Sequence, residues 1–155
     1  MTRARILLAD DHKEMRDTVE HLLEWEFGIV GVVATGEELL KSESETYPDV
    51  CVVDISMPKV SGIDAANALK ARGSRTKVIF LTVHEDSEFL QAALDTGALG
   101  YVLKSRIVAD LRQAIRSALS GQLFISPSRK LGTDAERIPS PALEPTLERD
   151  RSNLE

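Results

Sequence analysis

The sequence predicts an α/β fold in which a parallel sheet carries helices on both faces. Five short apolar runs alternate with amphipathic segments over residues 5–121, the pattern of a strand followed by a helix repeated five times. Several of these runs are continuously apolar, as expected for strands that are covered on both faces. We therefore predict a doubly wound five-stranded parallel sheet with five helices.

Each predicted element corresponds to one segment of the chain. The strands are predicted from five apolar runs, in order Ile6–Ala9, Ile29–Val33, Val50–Val53, Lys77–Leu81 and Gly100–Leu103. Apolar residues at helical spacing predict the intervening helices, around Met15–Leu23, Leu39–Leu40 (the weakest of the five), Ile63–Leu69, Leu90–Leu94 and Val108–Leu119. Trp25 and Phe27 are expected to close the first helix onto the sheet.

Composition and charge exclude several classes of protein. The chain is 43% hydrophobic and 28% charged, which is typical of a globular protein, and no apolar run approaches the ~20 residues that cross a bilayer. The net charge of −6 and the lack of basic clusters argue against direct nucleic-acid binding. The single cysteine, Cys51, cannot form an internal disulfide. We predict a cytoplasmic protein without membrane contact.

The last thirty residues differ from the rest of the chain. Residues 126–155 contain four of the six prolines, many polar residues and no apolar periodicity. Such a composition favours a linker or a disordered extension. We predict one folded domain over residues 1–125 and a polar, proline-rich tail over 126–155, with no DNA-binding domain in this chain.

Polar residues follow four of the five predicted strands. Asp10 and Asp11 follow the first strand, Asp54 the third, Thr82 the fourth and Lys104 the fifth. In an open α/β sheet with the flavodoxin-like order 2-1-3-4-5, ligands bind at the carboxyl ends of the strands, where the winding reverses. These five side chains are therefore expected to converge in one crevice.

The expected crevice has the chemistry of a metal-assisted phosphoryl acceptor. Clustered carboxylates need a cation, and oxygen ligands beside a phosphate favour Mg²⁺. Asp54, alone on the central strand, is the expected nucleophile, and Thr82 and Lys104 can bind phosphoryl oxygens. With Mg²⁺ bound, an aspartyl phosphate would leave the pocket with a charge of about −1, whereas without the metal the charge would be about −3. The metal requirement follows from this difference.

The ordered motifs resemble those of response-regulator receivers. The segment Asp54–Gly62 (DISMPKVSG) is similar to the phosphoacceptor turn of that family, and Asp10-Asp11-His12, Leu81-Thr82 and Tyr101-Val102-Leu103-Lys104 match its other motifs in order. The resemblance covers residues 5–121. It implies that Asp10, Asp11, Asp54 and the Ser56 backbone carbonyl bind the metal, and that Thr82 and Tyr101 are the switch residues. Lys104 pairs with the phosphate in this interpretation.

The same resemblance implies a biological role. A sensor histidine kinase or a phosphotransfer protein would donate the phosphoryl group to Asp54, Thr82 would move toward it, and Tyr101 would rotate into the vacated space. The output would be a changed protein–protein surface, with a homodimer among the expected partners. The domain is expected to accept and slowly lose its phosphoryl group without otherwise being an enzyme.

One departure from the common receiver pattern indicates a branch. Ser105 follows Lys104, at a position where many receivers have proline. This Lys-Ser pair, together with Leu81-Thr82-Val83-His84, resembles the NarL/FixJ-type branch. That branch usually carries a C-terminal helix-turn-helix, which we do not expect in this chain. Two explanations remain open at this stage, a natural single-domain regulator and a chain that ends within its linker.

Simpler interpretations exist for each residue taken singly. Asp11 could cap the first helix, Asp54 could be a turn residue, and Lys104 a solvated charge. Three rival functions are also considered, each with its own requirement. A degenerate receiver should lack pocket residues, a flavodoxin-like small-molecule binder needs a phosphate-cradling loop after the first strand, and an aspartyl-phosphate phosphatase needs an acid at position 56, where this chain has Ser56.

Overall fold

The computed structural model describes residues 3–128, so most of the predicted tail lies outside the described residues. Six parallel strands form one sheet in the order β2-β1-β3-β4-β5-β6, with bounds Arg5–Ala9 (β1), Gly28–Val33 (β2), Val50–Asp54 (β3), Lys77–Thr82 (β4), Gly100–Leu103 (β5) and Phe124–Ile125 (β6). The predicted order 2-1-3-4-5 is confirmed. The two-residue β6, which extends the sheet beyond β5, was not predicted.

Five helices connect the strands, as predicted, with bounds Lys13–Leu23 (α1), Gly36–Thr46 (α2), Gly62–Ala71 (α3), Ser87–Asp95 (α4) and Ile107–Leu119 (α5). A short 3-10 turn, Lys104–Arg106, leads from β5 into α5. None of the described helices combines the length and the apolar character that a membrane crossing requires.

The sheet separates two apolar cores, which explains why most positions of its strands are apolar. In β1, Ile6 and Leu8 face one core while Leu7 and Ala9 face the other, and all four are fully buried. One core lies against α1 and α5, and the other against α2, α3 and α4. Because both faces are covered, the polar ends of the strands are the positions at which side chains can reach solvent or a ligand.

One packing expectation was half wrong. Phe27 is buried as predicted, but Trp25 is 80% exposed. Helix α1 ends at Leu23, and the following turn is fixed by the Glu26 and Phe27 amides donating to the Leu23 carbonyl. That turn packs Phe27 into the core between the sheet and α1, and it leaves Trp25 facing solvent.

Candidate functional site

The predicted residues meet at the carboxyl edge of the sheet. Asp54 and Thr82 are the last residues of β3 and β4, and Asp10 and Lys104 immediately follow β1 and β5. Since β1 and β4 both pair with β3, Asp54 stands at the centre of this edge. Asp10 and Asp54 are buried, and the Asp11 side chain is 29% exposed.

Lys104 joins the two buried carboxylates. Its Nζ lies 3.1 Å from Asp54 Oδ2 and 3.2 Å from Asp10 Oδ2, and its side chain is only 11% exposed. Two acidic groups thus share one cation in a space largely closed to solvent. A single lysine cannot neutralise both of them together with Asp11, so the cluster keeps an excess of negative charge.

The charges shift the pKa values of these groups. Burial, together with repulsion from Asp10, raises the pKa of Asp54 to about 6, although the Ser56 N–H and Lys104 act in the opposite direction. Burial opposes the charge on Lys104, but its pairing with Asp54 and Asp10 outweighs that effect and raises its pKa. Lys104 therefore stays protonated at neutral pH, while Asp54 is ionised and more basic than an ordinary aspartate.

The donor set fits a hard divalent cation. Ligand atoms of Asp10, Asp11, His12 and Asp54 lie within 4.8 Å of one another. Asp10 Oδ2 and Asp11 Oδ1 are buried, and among the described residues they have only the ionic contacts with Lys104 Nζ (3.2 Å) and His12 Nδ1 (3.0 Å), without a well-aligned hydrogen bond. A buried carboxylate oxygen without a well-aligned donor is costly, and a cation would remove that cost. Oxygen ligands suit Mg²⁺ better than a softer metal.

The loop after β3 holds Asp54 in place. The Ser56 N–H donates to Asp54 Oδ1 (3.0 Å), and the Gly62 N–H donates to the Ile55 carbonyl (2.8 Å). A Cβ atom on Gly62 would lie 2.2 Å from the Asp54 carbonyl oxygen, so only glycine permits this approach. Lys59 adopts the left-handed conformation with φ 66°, which is unfavourable for a side chain of this type and frequent at functional loops.

Thr82 and Tyr101 contact the loop between β4 and α4. Thr82 Oγ1 accepts from the His84 N–H (2.9 Å), and the Tyr101 hydroxyl donates to the His84 carbonyl (3.1 Å). The Tyr101 ring is fully buried; burial raises its pKa to about 12, against a smaller opposite effect of the Thr82 hydroxyl. Both side chains therefore contact the same loop residue, His84.

Two histidines in loops border the site. His12 is 69% exposed, but its N–H donates to Asp10 Oδ1 (2.8 Å) and its Nδ1 lies 3.0 Å from Asp11 Oδ1. His84 Nε2 lies 3.2 Å from Ser56 Oγ, and its ring stacks on Phe89 at 3.9 Å between centroids. The positions of these two histidines depend on the conformation of their loops. Loop conformation leaves no periodic pattern in the sequence.

The alternative role of Asp11 as a helix cap is not what the structure shows. The residue that precedes α1 is His12, and no side chain caps this end of the helix. The two acidic residues after β1 therefore lie at the site and do not cap α1. We attribute their position to the ligand that the site binds.

Comparisons with known proteins place these features in a family. A family model described as the response regulator receiver domain matches residues 6–116. The response regulator GacA of Pseudomonas viridiflava is 38% identical over 125 residues, which are 79% of this chain and 58% of that protein. The chain thus spans little more than half the length of the curated relatives it matches.

Solved structures agree with that match. A LuxR-family two-component response regulator from Aurantimonas sp. SI85-9A1 is 31% identical, with a TM-score of 0.78 over 92% of this chain and 100% of the other. The isolated REC domain of RcsB from Salmonella enterica serovar Typhimurium, solved with the phosphomimetic BeF3-, is 26% identical, with a TM-score of 0.74 over 81% of this chain and 94% of the other.

Proposed function

Since the chain belongs to the response regulator receiver family of two-component signalling, in its NarL- and LuxR-related branch, we propose that Asp54 accepts a phosphoryl group from a phosphohistidine. The observation that carries this proposal is the shared cation: Lys104 lies 3.1 Å from Asp54 and 3.2 Å from Asp10. It stands where it can neutralise a phosphoryl oxygen added to Asp54. The donor would be a sensor histidine kinase or a phosphotransfer protein.

The transfer itself asks the protein for position and charge. A carboxylate oxygen of Asp54 forms a bond to phosphorus as the phosphorus–nitrogen bond of the phosphohistidine breaks, and the imidazole nitrogen keeps the electron pair. With its pKa raised to about 6, Asp54 is both ionised at neutral pH and a better nucleophile than an ordinary aspartate. The domain then acts as a phosphorylated signal that decays by slow hydrolysis, not as an enzyme with a separate substrate.

Mg²⁺ is the proposed cofactor. Asp10, Asp11 and Asp54 would hold it with their carboxylates, and the Ser56 backbone carbonyl would complete the protein ligands. When bound, the ion neutralises the charge that develops on the transferring phosphoryl group. The two buried carboxylate oxygens that lack a well-aligned hydrogen-bond donor, on Asp10 and Asp11, support this assignment.

The proposed switch is an exchange of hydrogen bonds at Thr82. Its hydroxyl oxygen now accepts from the His84 N–H, and a new phosphoryl dianion beside it would draw the hydroxyl proton toward the site. That movement disturbs the β4–α4 loop, whose His84 carbonyl also binds the Tyr101 hydroxyl. The altered surface around α4, β5 and α5 would then bind a protein partner or a second copy of the chain.

The domain arrangement is part of the same proposal. Residues 1–125 would form the receiver and 126–155 a linker-like tail, with no direct nucleic-acid binding by this chain. The net charge of −6 supports the last point, because DNA-binding surfaces are usually basic.

An Asp54→Asn substitution tests the proposal. We expect the wild-type chain, incubated with Mg²⁺ and acetyl phosphate or a cognate kinase, to gain the mass of one acid-labile phosphoryl group, and Asp54→Asn to gain none. Asp64→Asn is the matched control because Asp64 is exposed on α3. Phosphoryl incorporation into Asp54→Asn at the wild-type level would refute the assignment.

A further inference from the structure

The segment after α5 turns back and pairs with the free edge of β5. Helix α5 ends at Leu119, and Gly121, with φ 78°, reverses the chain direction in a conformation that favours glycine. Phe124–Ile125 then pairs in parallel with Gly100–Tyr101. We call residues 122–128 the strap; it occupies the edge between α4 and α5 that a five-stranded receiver sheet would leave open.

The first anchor of the strap is Ser126, which is fully buried. Its N–H donates to the Tyr101 carbonyl (2.9 Å), and its Oγ accepts from the Leu103 N–H (3.1 Å) while donating to Asp110 Oδ2 (2.8 Å). Asp110 in turn accepts hydrogen bonds from Arg106 Nε (2.7 Å) and Arg106 Nη2 (3.2 Å). Leu103 immediately precedes Lys104, so this anchor holds the strand end that carries the phosphate-binding cation.

The second anchor joins the strap to the loop at the other side of the site. Ser128 Oγ donates to Glu85 Oε1 at 2.7 Å. Glu85 lies in the β4–α4 loop, directly after His84, whose N–H is held by Thr82 Oγ1. One short chain of contacts therefore runs from Thr82 through His84 and Glu85 to Ser128.

We propose that phosphorylation of Asp54 loosens the strap by moving the β4–α4 loop away from Ser128. The inference rests on the proposed function, because it needs the Thr82 hydroxyl to turn toward the phosphoryl group. When Thr82 turns, its bond to the His84 N–H lengthens and Glu85 shifts with the loop. The strap then loses a contact that fixes its far end, so the hydrogen bonds of its Phe124 and Ser126 amides open more often.

Thermodynamic reciprocity makes this coupling measurable from either side. If phosphorylation weakens the Ser128–Glu85 contact, then removing that contact must favour the phosphorylated conformation by the same factor. Loss of one partly exposed, charge-assisted hydrogen bond is expected to tighten binding of a phosphoryl mimic about threefold. The same loss should speed amide exchange in the strap by a comparable factor.

The experiment uses the full 155-residue chain and beryllofluoride with Mg²⁺. NMR resonances of Thr82 and Lys104 report whether the mimic occupies the site, and exchange of the Phe124 and Ser126 amides, which donate to Leu99 and Tyr101, reports on the strap. In the wild type we expect the mimic to shift the site resonances and to speed strap exchange about threefold. In Ser128→Ala we expect fast exchange before addition and about threefold tighter binding of the mimic.

Glu85→Ala should reproduce the behaviour of Ser128→Ala, and Ser120→Ala, at an exposed position after α5, should behave like the wild type. Site resonances that shift while strap exchange stays constant or slows would overturn the strap inference and leave the proposed function intact. Site resonances that do not move at all would overturn the proposed function, and the strap inference with it.

Discussion

The two edges of the sheet bury carboxylates in opposite ways. At the carboxyl edge, Asp10 and Asp54 share the cation Lys104 and Asp11 contacts His12, and one oxygen each of Asp10 and Asp11 has no well-aligned hydrogen-bond donor among the described residues. At the amino edge, the side chain of Glu43 is 7% exposed and is surrounded by donors, namely the Arg72 guanidinium, Ser74 Oγ (2.6 Å) and Thr76 Oγ1 (2.8 Å).

The difference is also visible in the pKa values. At Glu43, burial opposes the charge, but the bonds from Ser74, Arg72 and Thr76 outweigh it and lower the pKa. At Asp54 burial and Asp10 prevail, and the pKa rises to about 6. Burial by itself does not distinguish a structural acid from a functional one. What distinguishes them is the balance of charge around the acid: Glu43 has the Arg72 guanidinium to itself, whereas Asp54 shares Lys104 with Asp10.

The largest effect on stability is expected at the amino edge. Glu43→Ala removes the acceptor shared by Arg72, Ser74 and Thr76, and should lower the free energy of unfolding by about 3 kcal/mol. The value lies at the low end for a buried pair because the Arg72 side chain is 39% exposed. Urea denaturation checks it, with the exposed Glu45→Ala on the same helix as control. A loss as small as that of the control would remove the structural role assigned to Glu43.

The Glu43 contribution also has a defined pH dependence. Because the folded-state pKa of Glu43 lies below its ordinary value of 4.5, its stabilisation is present above that value and disappears as pH falls through the folded-state pKa. The difference in unfolding free energy between wild type and Glu43→Gln should therefore shrink as pH is lowered from 5 toward 3. A difference that stayed constant over that range would contradict the assignment.

Asp54 should behave in the reverse manner. Its folded-state pKa of about 6 lies above the ordinary 3.8, so in metal-free buffer the Asp54 carboxyl holds its proton more tightly in the folded chain than in the unfolded chain. The contribution of Asp54 to the free energy of unfolding therefore decreases as pH rises from about 4 to about 6. Asp54→Asn removes that penalty and should stabilise the metal-free chain at pH 7.5 by at most about 3 kcal/mol. Thermal or urea unfolding at pH 4 and pH 7.5 measures both terms. Destabilisation by Asp54→Asn at pH 7.5 would show that the edge is satisfied without a metal.

The sequence predicts the carboxyl edge of the sheet better than the amino edge, because the two edges leave different patterns in the chain. Asp54, Thr82 and Lys104 stand at the ends of continuously apolar runs, and parallel topology alone brings such ends together. Glu43 looks like one more charge on an amphipathic helix, because its partners lie 29 to 33 residues away in the chain. The strap was missed for the same reason: Phe124–Ile125 is too short to show a period, and it becomes a strand only because β5 offers an edge.

The smallest expected effect is the one that Mg²⁺ has on folding stability. A ligand that binds only the folded chain adds about 1.4 kcal/mol when its free concentration is ten times its dissociation constant. We expect this gain for the wild type and for Glu43→Ala alike, since Glu43 lies at the opposite edge and contributes no ligand. Asp11→Asn should lose most of it, because Asp11 carries one of the two buried oxygens that lack a well-aligned hydrogen-bond donor. Unfolding with Mg²⁺ and with Ca²⁺, at constant ionic strength, separates site binding from general screening. Equal Mg²⁺ stabilisation of wild type and Asp11→Asn would mean that the unsatisfied oxygens at the carboxyl edge are not there to hold a cation, and the contrast between the two edges would lose its functional meaning.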